Sequence, residues 1–156
     1  MNSHNITIQN QLPVQSLCEL PSNEQIISWV EAVLIDKQDA ELTIRMTDES
    51  EIINLNLQYR NQNKPTNVLS FPADLPSELN LPLLGDVVIC ASVVEKESLQ
   101  QGKSVISHWA HMVIHGTLHL LGYDHLDEVQ ANEMEAKEIE ILAQFGYSNP
   151  YLEMDI

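Results

Sequence analysis

Three histidines lie within an eleven-residue stretch of this chain, at spacings that suit a catalytic metal centre. His115 and His119 are four residues apart and therefore share one face of a helix. Gly122 tolerates backbone angles that end a helix, so the chain can turn there and bring His125 back toward the other two imidazoles. Three neutral imidazoles leave the fourth position of tetrahedral Zn²⁺ open to water or substrate. The spacing therefore predicts one Zn²⁺ per chain in an open, catalytic site.

The helix that would carry the first two ligands is apolar on almost every side, which is typical of a buried helix. Its one polar stripe consists of four histidines at helical spacing: His108, His111, His115 and His119. Buried imidazoles need polar partners, and a metal ion is one way to supply them. A purely structural stripe is the alternative, but it requires neither Gly122 nor His125. For His108 and His111 we expect packing with a hydrogen bond, or support of a ligand, rather than metal ligation. His4 is expected to be solvated.

The spacing also matches the extended zinc-protease signature, His-Glu-x-x-His-x-x-Gly-x-x-His, with one departure. Where those proteases carry the glutamate that acts as general base, this chain has Gly116. Without that carboxylate the usual route of peptide hydrolysis loses its proton acceptor. Met134 could suggest the methionine turn of those proteases, but its spacing from Ile141 and Leu142 predicts a core position on the last helix. The pattern argues against a protease.

With Gly116 inside the motif and Tyr123-Asp124-His125 closing it, the segment resembles the signature of the YbeY family. That family comprises bacterial endoribonucleases that act as ribosomal RNA maturation factors. Two upstream blocks are similar to the family and occur in the same order: Tyr59-Arg60 with Lys64–Pro72, and Leu84–Ile89. The overall length fits a family member from end to end.

The resemblance implies a zinc ion held by His115, His119 and His125. It also implies an arginine beside the metal cleft that RNA cleavage needs, here Arg60. The implied substrate is ribosomal RNA precursor, with roles in maturation of the small-subunit RNA 3′ end and in ribosome quality control. The ribosome or small-subunit proteins are the implied partners. Asn67 stands where the family often has aspartate, which puts only the local hydrogen bonding in question.

A formal net charge of −16 is unusual for an enzyme that acts on RNA. Acidic residues crowd the C-terminal part: Asp124, Asp127, Glu128, Glu133, Glu135, Glu138, Glu140, Glu153 and Asp155. In contrast, Arg60 and Lys64 lie together in the second block, and Lys96 and Lys103 lie within and just after the next helix. Salt screens surface charges beyond about 8 Å, so a local basic cleft can coexist with an acidic back. We expect weak, salt-sensitive binding to isolated RNA, and delivery by a protein partner or by the ribosome is a hypothesis.

The composition suits a single globular domain over residues 1–156, with 44% apolar and 19% charged residues. No apolar run approaches the length of a membrane span, so no membrane contact is expected. The first residues lack the features of a signal peptide, which predicts a cytoplasmic protein. Cys18 and Cys90 lie in no paired motif, and we expect two reduced thiols.

Strand and helix patterns alternate at first, and helices accumulate at the end. This order predicts an α+β domain in which one small mixed β-sheet is covered by helices. The family resemblance implies a fold of this kind, with a metal helix like that of zinc proteases. Strands are predicted at Ile6–Gln9, Glu41–Met46, Val68–Phe71 and Asp86–Ala91. Helices are predicted at Ser22–Ile35, Asp48–Arg60, Ser92–Gln101, Val105–Leu121 and Glu128–Phe145. The segment Ala73–Leu84 is predicted to be a loop that borders the cleft.

Several chemical questions stay open at this level. A zinc ion with three neutral imidazoles lowers the pKa of bound water to about 7, so no strong separate base is required. The planar fork of Arg60 suits a phosphate, although its position alone fits a surface arginine at a helix C-terminus equally well. Asp124 could orient an imidazole or act only in a turn. Either water or the RNA 2′-hydroxyl could attack.

Two other functions remain as alternatives. One is a zinc hydrolase that acts on peptides or small esters, against which the missing glutamate argues. The other is a ribosome-assembly binding factor whose zinc is mainly structural. Closed structural zinc sites normally use four protein ligands, so the three-histidine pattern favours the nuclease.

Overall fold

The computed structural model describes residues 4–13, 16–74 and 81–152. These residues form a mixed four-stranded sheet. Its strands are β1 (Asn5–Asn10), β2 (Glu41–Thr47), β3 (Val68–Pro72) and β4 (Leu83–Cys90). The spatial order is β1-β2-β4-β3; the first three of these are parallel, and β3 runs antiparallel to β4 at the edge. The predicted α+β class with a small mixed sheet is confirmed.

The predicted boundary between the loop Ala73–Leu84 and the strand Asp86–Ala91 is wrong. β4 begins at Leu83 because Leu83 pairs with Glu41 of β2 and Gly85 pairs with Leu42. Ala91 belongs to the helix that follows rather than to the strand. Residues 75–80 of the predicted loop lie outside the described part of the chain.

All five predicted helices are present. They are α1 (Asn23–Val33), α2 (Glu49–Arg60), α3 (Ala91–Gln101), α4 (Val105–Leu120) and α5 (Glu128–Gln144). The predicted capping box begins α1, since the Ser22 hydroxyl accepts from Gln25 N and Ser22 N donates to the Gln25 side chain. Asp48 accepts a hydrogen bond from Glu51 N at 3.0 Å and so caps α2.

Helix α4 lies in the centre of the larger core, between the sheet and helices α1, α3 and α5. Trp109, Val113 and Leu118 of α4 are fully buried, and Met134 of α5 is 1% exposed, as its spacing predicts. Helix α2 packs on the opposite face of the sheet over a smaller cluster. The result is a rigid, buried α4 whose C-terminal end can hold functional side chains in place.

Three smaller expectations can be compared with this fold. Within the described ranges, no helix is both long and apolar enough to cross a membrane. Cys18 and Cys90 are both free thiols, as expected. The expectation that His4 is solvated is wrong: its side chain is half-buried, and its Nδ1 accepts a hydrogen bond from Ala40 N at 3.0 Å. The ring is held there because β1 pairs with β2 directly after these two residues.

Candidate metal centre

The three histidines of the motif converge at the C-terminal end of α4. Gly122 has a φ of +100° and ends the helical path, so the chain turns as predicted and returns His125 to the helix. The nitrogens of His115, His119 and His125 that could bind an ion lie within 4.8 Å of one another. The Nε2 atoms of His115 and His119 are 3.2 Å apart. Two nitrogens on one tetrahedral Zn²⁺, with bonds of about 2.0–2.1 Å, lie about 3.3 Å apart, so the geometry fits such an ion.

The protonation state of His119 also suits metal binding. Burial lowers the pKa of His119, and the neighbouring rings of His115 and His125 lower it further. A lowered pKa keeps the imidazole neutral at neutral pH, and the neutral ring is the form that donates a lone pair to a metal. His125 is the outer member of the set, because 59% of its side chain is exposed.

The same three histidines line a cleft of about 690 Å³ together with Arg60. Arg60 is the last residue of α2, and Asn61 after it adopts a left-handed backbone conformation that ends the helix. The cleft is also lined by polar residues of and beside β3, namely Thr66, Asn67 and Ser70. Lys64, the other cation of this block, is exposed and is not among the residues that line the cleft. The structure therefore brings together one guanidinium and three imidazoles.

The Asp124 carboxylate bonds to the backbone of the segment that follows α4. Its Oδ1 accepts a hydrogen bond from His125 N at 2.8 Å, whereas the same oxygen is 3.9 Å from His125 Nδ1. The longer distance is not a hydrogen bond. Asp124 therefore makes a hydrogen bond to the backbone and none to the His125 ring, while its charge raises the pKa of His119 against the larger lowering effects.

His108 and His111 each hydrogen-bond to a glutamate, and the partner of His111 also contacts His115. His108 Nε2 lies 2.9 Å from a carboxylate oxygen of Glu97, and His111 Nε2 lies 3.1 Å from one of Glu138. His108 therefore shows the expected packing with a hydrogen bond, whereas His111 shares the Glu138 carboxylate with His115. The Glu97 carboxylate also accepts a hydrogen bond from Asn67 Nδ2 at 3.0 Å. Asn67 is the residue at which the chain departs from the family pattern, and Glu97 is its hydrogen-bond partner.

The buried ring of His108 predicts a loss of stability in acid. Burial lowers the pKa of His108, and the hydrogen bond with Glu97 only partly offsets this. The folded state therefore prefers the neutral ring, while the unfolded chain binds a proton below about 6.5. The contribution of the neutral His108 ring to the free energy of unfolding is therefore present above about pH 6.5 and is lost as the pH falls below that value. We expect urea unfolding of the metal-free protein to show a smaller drop between about pH 7.5 and 5.5 in His108→Gln than in wild type. Equal drops would contradict this assignment.

Glu138 is a functional candidate that the sequence reasoning missed. It is 0% exposed, and its Oε2 lies 2.8 Å from His115 Nδ1 and 3.1 Å from His111 Nε2. Burial alone would raise its pKa, but hydrogen bonds from His111 and His115 outweigh burial and lower the pKa to about 2. In the sequence, Glu138 is one of many acidic residues in the C-terminal part of the chain. One signal could have found it, since it shares the apolar face of α5 with Met134, Ile141 and Leu142.

His111, His115 and Glu138 form a second set with metal-like spacing. The Glu138 carboxylate already accepts hydrogen bonds from both imidazoles and from the Tyr151 hydroxyl. Three donors satisfy the carboxylate without an ion, so this set is best described as a hydrogen-bonded network.

Comparison with known proteins identifies the family to which this site belongs. The family model described as Endoribonuclease YbeY matches residues 8–146. The chain belongs to the YbeY endoribonuclease family. It is therefore a nuclease that cleaves RNA phosphodiester bonds, as the resemblance predicts. The fold is similar to the solution structure of TM1509 from Thermotoga maritima, with a TM-score of 0.58 and 24% identity over 95% of this chain and 99% of that chain.

In this YbeY family chain, Gly116 allows α4 to lie directly against the sheet. A Cβ at this position would be 2.4 Å from Val87 Cγ1 and 3.2 Å from Ser70 Oγ and Val68 Cγ2. Ser70 Oγ also donates to Gly116 O at 3.0 Å. The position that carries the general base in zinc proteases therefore faces β3 and β4 here, and a glutamate has no room.

Gly116→Ala is expected to destabilise the protein by about 1–3 kcal/mol, because the added methyl group overpacks the contact with Val87. A glycine in an open helix interior would instead gain about 1 kcal/mol of stability on the same change. Urea unfolding of the two proteins at neutral pH distinguishes these cases by sign. A stabilised Gly116→Ala variant would show that α4 does not approach the sheet this closely.

Proposed function

We propose that this chain is a zinc-dependent, single-strand-specific endoribonuclease of ribosomal RNA maturation. In this proposal it processes the 3′ end of the small-subunit RNA precursor, takes part in ribosome quality control and works in the cytoplasm. The observation that carries the proposal is the cleft in which three imidazoles with metal-like spacing lie together with Arg60. Family membership supplies the RNA substrate class.

His115, His119 and His125 would hold the Zn²⁺ through their ring nitrogens. When bound, the ion supplies Lewis-acid charge that stabilises phosphoryl oxygens and activates the attacking oxygen. Supporting this role, the chain holds the imidazoles close together at the end of a buried helix and keeps His119 neutral. Three protein ligands would leave a zinc ion with an open position for substrate, and all three histidines line the cleft.

Arg60, which lines the same cleft, would bind the scissile phosphodiester. Its guanidinium presents planar pairs of N–H donors that match two phosphate oxygens and that stabilise negative charge as it develops during cleavage. The exposed position of Arg60 at the end of α2 leaves these donors free to meet a ligand, since no hydrogen bond or ion pair of this side chain is found among the described residues. Arg60 would thus be the catalytic side chain of the site.

The substrate is proposed to be an unpaired strand of RNA. The cleft of about 690 Å³ offers space for a short RNA segment beside the three histidines and Arg60. The bases of unpaired RNA are free to contact protein side chains, whereas those of a duplex are paired and stacked. With a net charge of −16 the chain repels long RNA, so the ribosome or a small-subunit protein is proposed to bring the substrate to the cleft.

The substrate proposal can be tested with one RNA that spans the 3′ end of the small-subunit precursor. We expect the zinc-loaded protein to cleave it when it is unpaired and to leave it intact when a complementary strand covers the site. Mapping the product ends then shows whether water or the 2′-hydroxyl attacks. Equal cleavage of both forms would contradict single-strand specificity. A zinc-loaded protein that binds small subunits and cleaves neither form would favour an assembly factor with a structural zinc.

A further inference from the structure

We infer that Glu138 is a positioning residue for the metal centre and that Tyr151 holds Glu138 in place. Metal affinity in the cleft then depends on the chain segment that follows α5. The inference rests on the proposed function, because it takes His115 to be a metal ligand. It adds two residues from the far end of the chain that contribute no ligand themselves.

The contacts of His115 give Glu138 its role. The Nδ1 of His115 is 2.8 Å from Glu138 Oε2, while Nε2 on the other side of the ring faces His119. An ionised carboxylate only accepts hydrogen bonds, so Nδ1 must carry the proton. The lone pair is thereby left on Nε2, which points toward the other two histidines. A carboxylate in this position fixes both the tautomer and the orientation of a metal-binding imidazole.

The carboxylate itself is held by two further groups. His111 Nε2 lies 3.1 Å from Oε2, and the Tyr151 hydroxyl donates to Oε1. The Nδ1 of His111 is buried without a hydrogen-bond partner in the described chain, which is consistent with a proton on Nε2. Because Glu138 is fully buried, water does not replace any of these donors.

Tyr151 brings the segment after α5 into this network. The chain leaves α5 at Gly146, whose φ is +81°, and returns along the N-terminal end of α4. Lys103 Nζ donates to Pro150 O at 3.2 Å, and the Asn149 side chain accepts from Tyr151 N at 2.8 Å. Tyr151 is 42% exposed, yet its hydroxyl reaches a carboxylate that no solvent contacts. When this segment packs against α4, Tyr151 can hold Glu138, and Glu138 in turn holds the His115 ring.

A buried glutamate with three donors could instead serve only the stability of the fold. That role predicts that its removal destabilises the metal-free and the metal-loaded protein equally. A positioning role predicts a specific loss of Zn²⁺ affinity and a smaller rise in melting temperature when Zn²⁺ is added. Neither readout depends on RNA cleavage.

The test is the Zn²⁺ dissociation constant, measured by competition with a chromophoric chelator. Glu138→Gln is expected to weaken binding about 10–100-fold. Tyr151→Phe, which removes one of three donors, is expected to weaken it roughly 3–10-fold. Two matched controls should bind like wild type: Glu140→Gln, an exposed glutamate of the same helix, and Tyr147→Phe, which keeps its ring contact with Trp29.

The outcomes separate this inference from the proposed function. If the wild-type protein binds no Zn²⁺, the proposed metal centre fails. If wild type binds Zn²⁺ and Glu138→Gln binds it as tightly as Glu140→Gln does, only the positioning role is overturned. Should Glu138→Gln fail to fold, Tyr151→Phe decides, because it removes a single hydroxyl from a half-exposed side chain. Unchanged Zn²⁺ affinity in Tyr151→Phe would then contradict the inference.

Discussion

His115→Ala and His119→Ala are expected to lower the rate of RNA cleavage at least about a thousandfold, and both should lose their bound metal. Metal-ion stabilisation of charge on the reacting phosphate is worth several kcal/mol, and about 4 kcal/mol corresponds to this factor. The effect of His125→Ala should be smaller, because this ring is the most exposed of the three and its place can be taken by water. Cleavage rate and metal content are measured on the same preparations.

His108→Gln is the matched control for these variants. His108 lies on the same helix and the same histidine stripe, but it contacts Glu97 and not the three-histidine set. This variant should keep its metal and its cleavage rate at neutral pH. Cleavage at the wild-type rate by His119→Ala would place the activity elsewhere or in a contaminating nuclease.

Arg60→Lys is expected to lower cleavage about 10²–10³-fold while zinc affinity and fold stability stay unchanged. Lysine keeps the positive charge but loses the planar donor pair, and loss of one donor to developing negative charge typically has an effect of this size. Arg60 sits at a helix end in an exposed position, so its replacement does not disturb the core.

Lys64→Gln provides the comparison, since it removes a positive charge from the same block without altering the lining of the cleft. We expect it to weaken RNA binding slightly, in proportion to one lost phosphate contact. Single-turnover rates with zinc-loaded proteins separate the two effects. If Arg60→Lys cleaves as fast as wild type, the guanidinium fork has no catalytic part.

The three-histidine arrangement could be predicted because every step in it is local. Helical spacing puts His115 and His119 on one face, and Gly122 turns the chain within a few residues. The helix caps at Ser22 and Asp48 could also be predicted from the sequence, because each joins a side chain to a backbone N–H three residues later. The α+β class followed from the order of such segments.

Glu138 and Tyr151 could not be placed from the sequence because their contacts join distant parts of the chain. Glu138 meets His115 only after α5 folds back along α4, and its charge made it look like part of an acidic surface. The start of β4 was missed for the same reason, because pairing with β2 determines it. The sequence shows that Gly116 replaces the general base of zinc proteases. It does not show the close approach of Gly116 to Val87, because this depends on how α4 packs on the sheet.

The most direct measurement is the initial rate of single-stranded RNA cleavage while Zn²⁺ is titrated into the metal-free protein. A metal-dependent nuclease at the three-histidine cleft predicts no cleavage without metal and a rise to a plateau at about one ion per chain. The His119→Ala protein should show no rise over the same titration. Cleavage that is as fast in the metal-free protein as in the loaded one would contradict the central proposal.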